Sequence, residues 1–479
     1  MDSMQYQYEL LFGGAYSIKD YYMESGNPRQ MRGASELLNE CTEDVKRLLR
    51  DKDITVEEND ANIFIGGATL SARVPSGKGK ELAKKAELIF RGKCRTANAA
   101  FVAVPYNSDY SEAKSHALDA YERRKSAKFT SWEFQNAKVN SLLKQSEDKP
   151  VCEFKLVKPN DSEVPSRCPR CRMRDPHYHF SHRNGEEGYL CTSCAKREKK
   201  SGERKYDMRK KICEERFHWS YEINTMSNIA DSDGCVALLY ADINNLGGAK
   251  YRKTSFDDDK NFHDGVQGTV NNAVREGLER AMEAGNYRYS DNKLTSRFEI
   301  VALGGDDICL LLPGNVALLT AKTIVEEFDK NPYKLTISVA ACVANDTTPL
   351  AYMEGIVSSA LEKAKTIARE KEQSVVNMSY FERPSGLFPM TTTDIKDFAN
   401  LLSRTRRSTA VTALRNVSEA RRELSFDEEF ALFFNYYMSH DSENRSILRK
   451  IQDNYIGENP WPDFVTWRNQ KLGKGGRTL

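Results

Sequence analysis

Glu299-Ile-Val-Ala-Leu-Gly-Gly-Asp-Asp-Ile-Cys-Leu-Leu-Leu-Pro313 is the stretch on which the fold turns. Two apolar, β-prone runs flank Gly304, Gly305, Asp306 and Asp307, which predicts two strands joined as a hairpin with a pair of carboxylates at its tip. Glycines permit the positive φ values that a tight turn needs. Two adjacent aspartates on a rigid turn can hold a divalent cation. A solvated acidic hairpin fits the same four residues, and what separates the two readings lies upstream.

There the chain reads Gly234-Cys-Val-Ala-Leu-Leu-Tyr-Ala-Asp-Ile-Asn-Asn-Leu-Gly247. Cys235 to Ala241 is a continuous apolar run of the kind a central strand shows, and it delivers Asp242 at its end, before a glycine-containing turn. Asp257, Asp258 and Asp259 read as solvated acids of a polar loop. A helix from about Gly265 to Ala284 leads into the hairpin. After it come an amphipathic helix (Val316 to Phe328), a strand (Leu335 to Ala344) and a helix (Gly355 to Glu370) that carries Lys365. This is a β-α-β-β-α-β order, the ferredoxin-like arrangement found at the core of nucleotidyl-polymerase palm domains. Acids stand in both places where such a palm needs them.

The first half repeats the order without the acids. Tyr6 to Tyr22 reads as a strand and a connecting turn, and Met31 to Leu49 as a helix with Leu37, Leu38, Cys41, Val45, Leu48 and Leu49 at helical spacing. Ala61 to Val74 is a strand, a diglycine turn and a strand, followed by a Lys-rich helix (Glu81 to Arg91) and a strand (Ala99 to Val104). Its hairpin reads Gly66-Gly67-Ala68-Thr69, so this first palm-like domain is expected to be structural or partner-binding.

Residues 108–156 are charged and helix-prone, an arm or a linker. Cys168-x-x-Cys171 and Cys191-x-x-Cys194 follow, with nineteen residues between the pairs, which is zinc-ribbon spacing. His177, His179 and His182 read as exposed loop residues, because four thiolates already close a structural site. Lys196 to Lys211 is basic, a solvated helix face or a contact for RNA phosphate. Past Pro389 the chain reads as helical (Asp394 to Ser403, Thr409 to Leu424, Asp427 to Met438), with Arg404, Arg406 and Arg407 between helices, an assembly surface. The expected class is therefore α+β: a first palm-like domain over 1–107, a helical arm and zinc ribbon over 108–215, a catalytic palm over 216–388 and a C-terminal helical bundle over 389–479.

Composition bounds these readings. The 479 residues are 39% hydrophobic, 29% charged and 10% aromatic, with a net charge of +2, so binding to nucleic acid must come from local patches. No run approaches the roughly eighteen apolar residues of a membrane span, and the N-terminus lacks a signal pattern, so a cytoplasmic location is expected. Eleven cysteines in so long a chain do not suggest a disulfide framework. The seven outside the two pairs read as small buried hydrophobes.

Taken together, the pieces resemble the large polymerase-cyclase subunit of type III CRISPR effector complexes. Arg32-Gly-Ala-Ser-Glu-Leu-Leu38 resembles the first-palm signature of that family. Ala241-Asp-Ile-Asn-Asn-Leu-Gly247 and Gly304-Gly-Asp-Asp307 resemble its two catalytic-palm motifs, and Leu361-Glu-Lys-Ala-Lys365 its late helix. The resemblance implies a metal-dependent nucleotidyltransferase that makes cyclic oligoadenylates from ATP when the complex recognises target RNA. Asp242, Asp306 and Asp307 would be the catalytic ligands of Mg2+ or Mn2+, helped by the Ile243 carbonyl. Gly304 and Gly305 would let the hairpin approach the nucleotide, Lys365 would meet the triphosphate, and Cys168, Cys171, Cys191 and Cys194 would hold Zn2+. The implied partners are the other subunits, CRISPR RNA and target RNA, with no membrane.

Two departures stand out. Many members carry an HD nuclease domain, whereas this sequence starts at the palm, has seven His in total, and shows His263-Asp264 and His440-Asp441 only as isolated dipeptides. No HD-type DNase activity is expected. Asn244 stands where members often have a second Asp. Other readings of the same residues are transfer of AMP to another small acceptor, a non-catalytic scaffold subunit, and a diguanylate-cyclase-like enzyme. The last expects Glu-Phe after Gly-Gly-Asp, where this chain has Asp307-Ile308.

Overall fold

A computed structural model of the chain describes residues 7–50, 62–66, 69–106, 109–127, 152–157, 163–182, 185–203, 212–213, 216–218, 223–246, 248, 253–288, 293–304, 307–381 and 383–391. They fall into two compact units, Met1–Lys211 with Leu246–Gly268 and Ile300–Asp306, and Ile212–Asn245 with Thr269–Glu299 and Asp307–Leu479. The fold is mixed α+β, as the sequence predicts.

The first unit begins β1 (Tyr8–Tyr16), α1 (Ile18–Met23), α2 (Pro28–Leu49), β2 (Ile63–Gly66), β3 (Thr69–Pro75), α3 (Gly79–Cys94) and β4 (Asn98–Tyr106). Its sheet runs β2-β3-β1-β4 with antiparallel neighbours, the ferredoxin-like order. Asn27 starts α2 by accepting from the backbone N–H groups of Arg29 and Gln30, and Pro28 sits where its missing donor costs nothing. Leu37, Leu38, Cys41, Val45 and Leu49 are buried, as their spacing requires.

Two sequence readings around this sheet need correction. The supposed arm contains α4 (Tyr110–Ser126), capped by Asp109, whose Tyr110, Ala113, Ala117 and Tyr121 complete a core with Leu10 and Phe12. Its apolar residues are spread among charges, which hid the buried face. The acids Asp257, Asp258 and Asp259 are not in a loop. They form the first turn of α6 (Phe256–Ala284), where carboxylates complement the helix dipole, and Asp259 is buried, accepting from Tyr110 Oη at 2.6 Å and Lys114 Nζ at 2.5 Å. His263, one turn on, stacks on Phe64 and stands 3.6 Å from Asp259, so it is a core residue.

The ribbon comprises β5 (Cys152–Leu156), β6 (Tyr178–His182), β7 (Glu187–Leu190) and α5 (Thr192–Glu203). Here the basic stretch behaves differently from a solvated face. Lys196 and Arg197 are buried: Lys196 donates to the Gly92 carbonyl at 2.6 Å, capping the last turn of α3, and Arg197 pairs with Glu24 while lying over the Tyr21 ring. Residues 204–211 lie outside the described residues. At Gly33 an added Cβ would stand 1.9 Å from the Arg197 carbonyl oxygen, so only glycine lets α2 and α5 approach this closely. His182 is not an exposed loop residue. It lies on β6 beside Arg29 and Glu198, whose charges are paired across the α2–α5 contact.

The second unit contains β8 (Phe217–His218), β9 (Cys235–Asn244), most of α6 (Phe256–Ala284), β10 (Leu294–Thr295), β12 (Asp307–Pro313), α7 (Ala317–Phe328), β13 (Thr336–Asn345), α8 (Leu350–Lys371), β14 (Val375–Tyr380) and β15 (Arg383–Thr391); β11 (Glu299–Gly304), all but its first residue counted with the first unit, precedes β12 in the chain. The sheet order is β11-β12-β9-β13-β14-β15. Its first four members repeat the order of the first sheet, and α8 then leads to β14, parallel to β13, with β15 antiparallel beyond it. The sequence reading missed these last two strands, and β15 runs two residues past Pro389, where the C-terminal helical region was expected to begin. The three helices expected after Asp394 lie outside the described residues.

Candidate active site

β9 is apolar from Cys235 to Ala241, as befits an inner strand with a neighbour on either side. Val236 to Ala241 are fully buried, with β12 and β13 antiparallel on either side. A carboxylate can enter such a strand only where the sheet ends, and Asp242 is the first polar residue there. The β12 register pairs Ile308 with Ala241, so its next step sets Asp307 across from Asp242. Residues opposite each other in antiparallel strands project to one face. The two carboxylates therefore share a face and an end of the sheet.

α8 brings the counter-charge. It packs on β13, β14 and β9, and Lys365 reaches Asp242 Oδ2 at 3.3 Å and Glu362 Oε1 at 3.1 Å. Burial disfavours the Lys365 ammonium, but the charges of Asp242 and Glu362 outweigh it, and its pKa is raised. Lys365 is therefore an ammonium ion at any neutral pH. Glu362 was not singled out in the sequence; its position three residues before Lys365 on a helix was the available signal.

Asn244 has a settled role. Its side-chain N–H donates to Thr336 Oγ1 at 3.0 Å, and its carbonyl oxygen accepts from Ser338 Oγ at 3.0 Å. Both partners lie on β13, whose register pairs Thr336 with Asn244 and Ser338 with Asp242. The carboxamide thus ties the acid-bearing end of β9 to its neighbour. Ile243 is buried and faces Ile337 across the ladder. Gly304 ends β11, and Gly305 and Asp306 lie outside the described residues. Of the predicted site, the structure brings together Asp242, Asp307 and Lys365.

One positioning residue escaped the sequence reading. Asp231 accepts from the backbone N–H groups of Asp233 and Cys235 at 2.9 Å and of Asn315 at 2.8 Å, fixing the entry to β9 against the exit of β12. Burial raises its pKa against those three donors. The Asp231-Ser-Asp-Gly234 turn chemistry was its signal, with Gly234 at φ 75°.

The ribbon forms a second polar centre, within the first unit. The sulphurs of Cys168, Cys171, Cys191 and Cys194 lie within 4.8 Å of one another, and all four residues are buried. A tetrahedral thiolate site with metal–sulphur bonds of about 2.3 Å separates its sulphurs by about 3.8 Å, and Cys171 and Cys191 stand 3.8 Å apart. The Cys194 N–H points at Cys191 Sγ, at 3.5 Å. A hydrogen bond from Cys194 lowers the Cys171 thiol to about 6. These residues fit a four-coordinate soft metal, and none of the three nearby histidines is needed for it.

Residues 235–374 match the family model for the second palm domain of Cas10/Cmr2. No curated protein sequence matches the chain. Among solved structures it is similar to a Csm1–Csm4 cassette in complex with AMPPNP, at 14% identity and a TM-score of 0.61 over 97% of this chain and 68% of that one. A Csm1–Csm4 cassette in complex with cA4 matches at 14% identity and a TM-score of 0.57, over 90% of this chain and 64% of that one. Csm1 of T. onnurineus matches at 13% identity and a TM-score of 0.61, over 96% and 68%. At such identities the structural likeness speaks for a shared fold. No described helix is long and apolar enough to cross a membrane.

Proposed function

We propose that this chain, which carries the second palm domain of the Cas10/Cmr2 family, is the large polymerase-cyclase subunit of a type III CRISPR effector complex. Its second palm would join ATP into cyclic oligoadenylates when the complex holds target RNA. The observation that carries this reading is the meeting of Asp242, Asp307 and Lys365 at one end of one sheet.

Asp242 and Asp307, with Asp306 next to Asp307 in sequence, would hold Mg2+ or Mn2+. Hard cations take carboxylate oxygens, and two adjacent strands offering them from one face fit that need. When bound, the cations would lower the pKa of an attacking ribose hydroxyl and neutralise the leaving pyrophosphate. The oxygen of that hydroxyl forms a bond to the α-phosphorus of a second ATP as the bond to pyrophosphate breaks. Lys365 would then turn from Asp242 and Glu362 to the triphosphate, an exchange that keeps its charge partnered throughout. Asn244 would act through β13 by holding Asp242 in register. The four-cysteine cluster would hold Zn2+ as a structural ion, and a Csm4-type subunit, CRISPR RNA and target RNA would be partners.

The test is to incubate the reconstituted complex with ATP, Mg2+ and target RNA and follow pyrophosphate and nucleotide products. Wild type should release pyrophosphate and yield adenylate rings, identified by mass spectrometry. The same trace from Asp306→Ala/Asp307→Ala would remove the catalytic assignment. A product bearing AMP on another small molecule would instead support the different-acceptor chemistry.

A further inference from the structure

Outside the ribbon, two cysteines that read as ordinary core residues come into contact. Cys41 on α2 and Cys94, the last residue of α3, are buried, and their sulphurs stand 3.4 Å apart across 53 residues of chain. A disulfide has its sulphurs about 2.05 Å apart, so closure asks for little more than an ångström of movement.

The surroundings allow that movement on one side. Cys41 lies inside a long helix and is held there by its neighbours. Cys94 is where α3 ends: Arg95 has φ 57°, and the Thr96 N–H turns back to the Cys94 carbonyl at 2.6 Å. Backbone leaving a helix can adjust in a way that mid-helix backbone cannot.

We propose that Cys41 and Cys94 are a reversible redox site, closing to a disulfide that clamps α2 to α3 when hydrogen peroxide accepts their electrons. The steps balance. The Cys94 thiolate attacks the peroxide O–O bond, giving a sulfenic acid and, after protonation, water. Cys41 then gives up its proton and attacks the Cys94 sulphur. The S–S bond forms as the S–O bond breaks and a second water leaves, so two thiols are oxidised and one peroxide is reduced. Burial and the Cys94 neighbour push the Cys41 thiol up, so its proton has to leave as its sulphur attacks in the second step.

The cross-link would act on the junction that carries the ribbon. α2 receives α5 at Gly33, and the end of α3 receives Lys196 at the Gly92 carbonyl. Joining α2 to α3 therefore stiffens both supports of α5.

The test uses the full chain with zinc bound, freed of reductant and treated with hydrogen peroxide without denaturant. Free thiols are then alkylated and peptides mapped without reduction. The expected result is one linked species joining the Cys41 and Cys94 peptides, reversed by dithiothreitol, with a melting temperature several degrees above the reduced form. A zinc-binding dye should report no metal release. Cys41→Ser and Cys94→Ala should each abolish the linked species and its thermal shift while circular dichroism shows both variants folded. If both cysteines are recovered singly alkylated, or if they link only after unfolding in urea, the proposal is overturned.

Discussion

The two palms share a strand order and differ at one corner. In the first sheet the residues facing each other at that corner are Gly14 and Thr69; in the second, the register sets Asp242 against Asp307. The parallel extends to the helix after the fourth strand. Lys125 is the sixteenth residue of α4 and Lys365 the sixteenth of α8. Each pairs with the glutamate three residues before it, Lys125 with Glu122 at 2.8 Å and Lys365 with Glu362 at 3.1 Å; Lys365 also reaches Asp242 of the sheet, whereas Lys125 lies over the rings of Tyr16 and Tyr121 at 5.7 and 5.2 Å. One scaffold thus places a helix cation at the same end of each sheet and sets it against a strand carboxylate in one palm and against aromatic faces in the other. The fold supplies the position, and the side chains decide whether a metal and a triphosphate can use it.

The largest effect should come from removing an acid. Asp242→Ala is expected to lower pyrophosphate release in the reconstituted complex by about 100-fold or more, the scale of losing one strong electrostatic partner of a reacting group. Thr69→Ala, the matching change in the first palm, should leave turnover unchanged. Equal losses from both would end the distinction between a catalytic and a structural palm.

The next contrast concerns packing. In Gly33→Ala the new methyl meets the Arg197 backbone carbonyl at 1.9 Å, and backbone cannot yield as a side chain can. A cost of about 3 kcal/mol is expected, the upper end of the overpacking range. Gly277, on the corresponding helix of the second palm, has Ile324 Cγ1 at 3.0 Å and the Thr320 carbonyl at 3.3 Å from its hypothetical Cβ. There Ile324 can shift its rotamer and the Thr320 carbonyl has to give only slightly, while alanine gains about 1 kcal/mol of helix propensity. Thermal unfolding should show Gly33→Ala melting several degrees lower and Gly277→Ala close to wild type.

A smaller effect separates the two lysines. Lys365→Ala should reduce turnover about tenfold, near the value of a single charge-assisted hydrogen bond. Lys125→Ala should not change it. A Lys365→Arg variant that regained most of the rate would show that charge matters more than shape.

Much of this was legible in the sequence where chemistry repeats a short pattern. The run Cys235 to Ala241 announces a strand buried on both faces, and two Cys-x-x-Cys pairs announce a four-thiolate cluster, because each signal lies within a few neighbouring residues. What stayed hidden depends on partners far along the chain. Asp259 reads as one of three solvated acids until Tyr110 and Lys114, nearly 150 residues away, are seen bonded to it. Arg197 and Lys196 read as a basic surface because a helix that buries charges looks, in sequence, like one that solvates them. The role of Asn244 was obscured in the same way, since its partners Thr336 and Ser338 belong to another strand. Periodicity locates apolar faces and is silent about buried ion pairs.

Those ion pairs set the last contrast, a dependence on pH. In the first unit, burial favours the neutral form of Glu198, but the hydrogen bond from His182 and the charges of Arg170 and Arg29 outweigh it, and its pKa is lowered. A carboxylate with a folded pKa below its unfolded value of about 4.3 adds stability above that pH and loses it as the pH falls through the folded value. Lys365 in the second unit is the mirror case. Its raised pKa adds stability below its unfolded value of about 10.4, lost as the pH rises through the folded value. Urea denaturation should therefore show stability falling on the acid side below about pH 4.3, and Glu198→Gln should flatten that fall while lowering stability at pH 7. On the alkaline side Lys365→Met should flatten the loss and leave the acid limb unchanged. An acid limb unaltered by Glu198→Gln would mean that the α2–α5 charges are solvated after all, as the basic sequence first suggests.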